Sequence, residues 1–178
     1  MLNDTEKAAF FKQVVHVCNP DTYVPECFLD REIKGLHRLP SYMELGYLHP
    51  DLFEPDPGVG NFLGERYTLL RFVSHSALHD AGSVEPDIRF KQKIIETLEK
   101  FGPVWLSSET ELTGELEAYR IPLPADKMHD AIAGASLVMG ESATMCTEAA
   151  VLGVPSIHIH NNRWGYVKEL ENRYGLIR

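Results

Sequence analysis

The chain has 178 residues, 44% hydrophobic and 24% charged, enough for one well-cored soluble domain with some chain left over. Its net charge of −9 argues against a nucleic-acid partner, which needs a basic surface, although local backbone dipoles can still hold a small anion. No apolar run approaches the ~18 residues of a membrane span, and the N-terminal MLNDTEKAAFF is polar rather than signal-like.

Cys18, Cys27 and Cys146 are far apart and form no CxxC pair, so reduced thiols in a cytoplasmic protein are expected. Residues 1–55 are expected to be irregular. A helix over 4–12 and an apolar run over 14–18 stand among Asn19-Pro20, Pro25 and Pro40. Residues 52–58 (LFEPDPG) read as a linker, because closely spaced X-Pro bonds disfavour helix.

Residues 56–178 are regular. Residues 67–73 (YTLLRFV) predict a strand. Pro86 opens a helix carrying Ile88, Ile94, Ile95, Leu98 and Phe101, and Gly102-Pro103 stops it. Residues 104–106 predict a second strand. A short helix over 112–119 follows despite Gly114, then a short strand or extended segment over 121–123. Asp126 is the expected cap of a helix through Ala133, closed by Gly134. Then come a strand over 136–139, a helix over 143–152, a strand over 156–159, and a helix over 164–174 ended by Gly175. This alternation predicts an α/β domain, a Rossmann-like parallel sheet with helices on both faces. Ligands in such sheets bind beyond the carboxyl ends of the strands, here the loops after Val73, Leu106, Leu123, Met139 and Ile159.

The loop after Met139 is the strongest candidate. Gly140 permits a tight turn and close backbone approach. Ser142 is a good N-cap, and the free N–H groups of the helix it opens favour an anion. Thr144 and Glu148 share a face, about 6 Å apart along the axis. Glu148, an acceptor-only carboxylate, can take both hydroxyl protons of a ribose. Met145, Ala149 and Leu152 form an apolar stripe for the core. A capped helix with a solvated glutamate is the plainer alternative.

The long loop 74–85 (SHSALHDAGSVE) offers Ser74, His75, His79 and Asp80, as ligand contacts or, more weakly, as a metal site. Arg71 lies inside a strand, where it pairs, faces a ligand or stands at an edge. Ser107-Ser108-Glu109 can donate hydroxyls or cap a turn. Met128 and His129 can line a pocket or face the core or solvent, and His158 and His160 share one strand face.

Several ordered blocks, YLHPDLFEPDP, LLRFVSHSALHDAG, VWLSSE, MGESATMCTEAAVLGVPSI and LENRYGLI, resemble an uncharacterised prokaryotic family of glycosyltransferase-B-like proteins. The wider relatives of that family are the N-acetylglucosaminyltransferases of peptidoglycan synthesis and the non-hydrolysing UDP-GlcNAc 2-epimerases. The resemblance runs from about Tyr47 to Ile177. It implies two Rossmann-like domains with the ligand between them, the C-terminal one binding the nucleotide-sugar. The signature Ser-x-Thr…Glu-Ala-x-x-x-Gly-x-Pro falls on Ser142, Thr144, Glu148, Ala149, Gly153 and Pro155. By resemblance, Ser142 and Thr144 contact phosphate and Glu148 contacts ribose.

The resemblance also implies that most of the N-terminal domain is missing, leaving residues 1–55 as remnant and linker and 56–178 as the nucleotide-sugar-binding domain. The expected function is donor binding in a glycosyltransferase-B-like protein, incomplete as a catalyst alone. Alternatives are an epimerase relative, or a non-enzymatic subunit completed by a partner chain or a second copy through residues 1–55. The expected ligand is a nucleoside-diphosphate sugar held by Gly140, Ser142, Ala143, Thr144 and Glu148, with Arg71, Ser74, His75, His79, Ser108 and His129 around it. No metal or cofactor is expected, and no catalytic residue stands out.

Overall fold

Four short runs of β-branched, aromatic and aliphatic residues form the centre of the fold. The computed structural model describes residues 16–20, 35–39, 41–73, 87–108, 111–112, 114–159 and 165–178, the first two segments in backbone only. Strands β1 (His16–Pro20) and β2 (Gly35–Leu39) pair in parallel as a separate two-stranded sheet. The main sheet contains β3 (Thr68–Phe72), β4 (Val104–Ser108), β5 (Leu137–Gly140) and β6 (Ser156–His158). Its order is β4-β3-β5-β6, and every pair is parallel. The expected α/β, Rossmann-like class is the observed one.

Both faces of the sheet are covered, as parallel sheets require. On one face Leu69 and Val138 pack with α2 (Pro57–Leu63), α4 (Met128–Ala133) and α5 (Ala143–Val151), through Val59, Leu63, Ala131, Ile132, Met145 and Ala149. On the other, Leu70, Phe72, Val104 and Leu106 meet Ile95 and Leu98 of α3 (Ile88–Leu98) and Leu116 of a 3-10 segment, Gly114–Tyr119. A third cluster joins Cys146 and Ala150 of α5 to Tyr166, Val167 and Leu170 around α6 (Gly165–Glu169). The α5 stripe of Met145, Ala149 and Leu152 does face the core.

Residues 41–56 wrap onto this domain and contain α1 (Leu45–Leu48), whose Leu48 is buried. The Pro-rich stretch expected to be linker instead starts a helix. Pro57 occupies the first turn of α2, where no N–H is needed, and the Asp56 carboxylate accepts from Gly58 N at 2.9 Å. Asp126 is not a cap; it lies in a 3-10 turn, Ala125–Lys127, that precedes α4. Residues 121–123 form no strand, although Ile121 N donates to Leu106 O at 3.0 Å. The last helix changes to a wider π turn, Leu170–Tyr174, before Gly175 ends it in the left-handed region. The expected helix over 4–12 lies outside the described residues.

Gly140 is required by the sheet itself. A Cβ there, at φ 157°, would overlap the Arg71 carbonyl oxygen and stand 2.9 Å from Arg71 N. We expect Gly140→Ala to cost about 2–4 kcal/mol in denaturant unfolding, because neighbouring backbone has no room to yield. A loss below about 0.5 kcal/mol, the range of a neutral surface change, would show that β3 and β5 can separate.

Candidate functional site

The strand order places a topological switch point between β3 and β5. The chain leaves β3 for α3 on one face and leaves β5 for α5 on the other, the arrangement in which α/β sheets place ligands beyond the two carboxyl ends. Arg71 pairs with Gly140 at that end. The loop is pinned there, because Glu141 N donates to Arg71 O at 3.0 Å and Val73 N donates to Glu141 Oε2 at 3.2 Å. Ile159 N donates to Gly140 O at 2.8 Å, holding β6 to the same turn.

From this turn α5 starts. Ser142 has extended backbone angles, and its hydroxyl accepts from Met145 N at 3.3 Å, so it is the expected N-cap. Ala143 is half-buried against the third core cluster. Thr144 is exposed at the first turn. The next turn on that face carries Glu148, whose side chain is only 13% exposed.

Glu148 is well partnered. Its Oε1 accepts from the Tyr47 hydroxyl at 3.0 Å and lies 3.1 Å from His129 Nε2. The His129 ring is flanked by Tyr47, with centroids 5.4 Å apart, and by the edge of Phe53 at 6.1 Å. Two candidates named separately from sequence, His129 and Glu148, are therefore brought together. Met128 packs on the first core cluster instead.

Arg71 is half-buried at the carboxyl edge, and its Nη1 donates to Ser107 Oγ at 2.7 Å. Ser108 lies one position further on, half-buried and opposite Phe72 in the ladder. His158 Nε2 lies 3.3 Å from Glu141 O. Ser74, His75, His79, Asp80, Glu109 and His160 lie outside the described residues. Among the described residues, no three His, Cys, Asp or Glu side chains gather as metal ligands.

Four residues that sequence reasoning passed over shape this region. Glu141 is buried beside the switch point; its only sequence signal is a charge directly after a strand-ending glycine. Tyr47 and Glu44 come from a segment about a hundred residues away in sequence. Burial raises the Tyr47 phenol well above its ordinary range, and Glu148 adds to the effect. Tyr42 anchors the same segment, its hydroxyl donating to Glu169 Oε2 at 2.5 Å while Arg173 Nη1 holds Oε1 at 2.9 Å. The Tyr42 bond, more than Arg173, lowers the Glu169 carboxyl.

Glu44 is 5% exposed, and burial first, then the Glu148 charge, raises its carboxyl above the ordinary range. A raised folded-state value favours folding fully below the ordinary carboxylate range and loses that contribution as pH rises through the raised value. Glu44→Gln should therefore melt at a higher temperature than the wild type at neutral pH, with the gap closing in acid. Thermal melts from about pH 4 to about pH 8 test this; a gap that does not grow with pH would refute it.

Among known proteins, no family model matches the chain, and no curated protein matches it.

Proposed function

We propose that this chain holds the donor-binding domain of a glycosyltransferase-B-like protein and binds a nucleoside-diphosphate sugar. The observation that carries the reading is the start of α5 at the switch point, with exposed Thr144 and then Glu148 on one face. That order, N–H groups first and carboxylate a turn later, suits a diphosphate followed by a ribose. One of the sequence blocks that resemble the glycosyltransferase-B-like family, MGESATMCTEAAVLGVPSI, falls on the same turn and helix.

In this reading the free N–H groups of the first α5 turn and the helix dipole oppose the diphosphate charge without a metal. The Ser142 hydroxyl and Thr144 line the phosphates, and Glu148 accepts from the ribose hydroxyls. Arg71 is the cation on the neighbouring strand at the switch point. Association with a partner chain or a second copy through residues 1–55, and a cytoplasmic setting, belong to the same proposal. No described helix is long and apolar enough to cross a membrane.

Titration calorimetry with UDP and UDP-sugars tests the proposal. Binding is expected, and Glu148→Ala should weaken it roughly tenfold, the net worth of one extra hydrogen bond to a charged group. A folded protein that binds no nucleotide, or a Glu148→Ala variant with unchanged affinity, would overturn the ribose role.

A further inference from the structure

We propose that Tyr47 competes with a ligand's vicinal diol for Glu148, so that the short helix α1 sets how tightly a ribonucleotide is held. The inference rests on the ribose role proposed above for Glu148.

A carboxylate offers about four lone-pair positions, two on each oxygen, and donates nothing when ionised. Both groups that reach Glu148 fall on Oε1: the Tyr47 hydroxyl at 3.0 Å and His129 Nε2 at 3.1 Å. Each must be a donor there, which places the imidazole proton on Nε2. The Tyr47 phenol is held in its protonated, donating form by burial and by Glu148 itself. Oε1 therefore has its full complement, while the described residues make no hydrogen bond to Oε2.

A vicinal diol that chelates a carboxylate spreads over both oxygens. It must displace one of the two donors from Oε1. His129 is the harder to move. It stands on α4 beside buried Asp130, Ala131 and Ile132, with Tyr47 and Phe53 against its ring. Tyr47 stands on a helix of four residues whose N-cap makes no side-chain bond. So short a helix has little stability of its own and is held by its contacts with the domain. Tyr47 is the donor that leaves.

A ligand with one hydroxyl at this place behaves differently. It uses Oε2 and meets no competitor. The signature of competition is thus a change in affinity for the diol that is not shared by the deoxy analogue.

The experiment is calorimetry of the full chain and its Tyr47→Phe variant with UDP and with 2′-deoxy-UDP. The variant keeps the ring against His129 and loses only the donated hydrogen bond. It is expected to bind UDP roughly fivefold more tightly, the worth of one hydrogen bond, and 2′-deoxy-UDP as the wild type does. UDP binding detectable only in the variant also supports the proposal. UDP affinity that is unchanged or weaker overturns it, with weaker binding making Tyr47 a holder of the carboxylate. Equal tightening of both ligands overturns it too, since Tyr47 would then only obstruct entry. No UDP binding by either protein overturns the nucleotide reading, and the competition with it.

A second measurement needs no variant. Saturating UDP should speed amide exchange at Leu48, whose N–H donates to Glu44 O inside α1 at 2.8 Å. Exchange that is unchanged or slowed overturns the displacement of α1.

Discussion

Four parallel strands packed on both faces leave side chains no polar surface except at the strand ends. That constraint arranges everything else. Leu69 and Leu70, adjacent in β3, enter opposite cores, so neither face can carry chemistry. Polar residues gather instead where the strands stop: Arg71 and Ser107, then Glu141 and His158. The strand order runs outward in opposite senses from β3 and from β5, which makes their shared carboxyl edge the switch point of the sheet.

The helix that starts there is unusual in how completely it is embedded. Met145 and Ala149 face one core, Cys146 and Ala150 another. Thr147, fully buried between them, satisfies its hydroxyl on Ala143 O at 2.8 Å. Only the face with Thr144 and Glu148 is left for a ligand or for another part of the chain. Residues 41–53 use part of it, through the Tyr47 hydroxyl on Glu148, so a ligand on this face would be coupled to the packing of that segment. The buried Cys146 thiol, pushed by desolvation up to about 12, is unreactive and belongs to packing.

Much of this was legible in local pattern. Strand lengths, the Gly102-Pro103 stop, the Ser142 cap and the α5 stripe all follow from neighbours within a few residues. Legibility failed where one signal has two readings. Pro55-Asp56-Pro57 reads as a break, yet Pro at the first helical turn after an aspartate cap is equally a start, and burial of Val59 and Leu63 decides it. Gly140 looked like an allowance for a ligand; its first duty is to let β5 lie against Arg71. The Tyr47–Glu148 contact spans 101 residues and leaves no periodic trace. Nor does Glu141 announce that its carboxylate will reach back to Val73.

The margins of the sheet have a consequence of their own. Beside β4, Arg120 bridges Leu106; beside β6, Ile177 bridges Ser156, and Arg178 N donates to Ser156 O at 3.0 Å. Neither outer strand therefore offers its whole row of amide and carbonyl groups to a stray extended peptide. Unprotected β-edges are templates for uncontrolled strand addition. Two segments too short to count as strands blunt both templates, and on β6 the cover reaches the strand's last residue, where His158 N donates to Arg178 O at 2.8 Å.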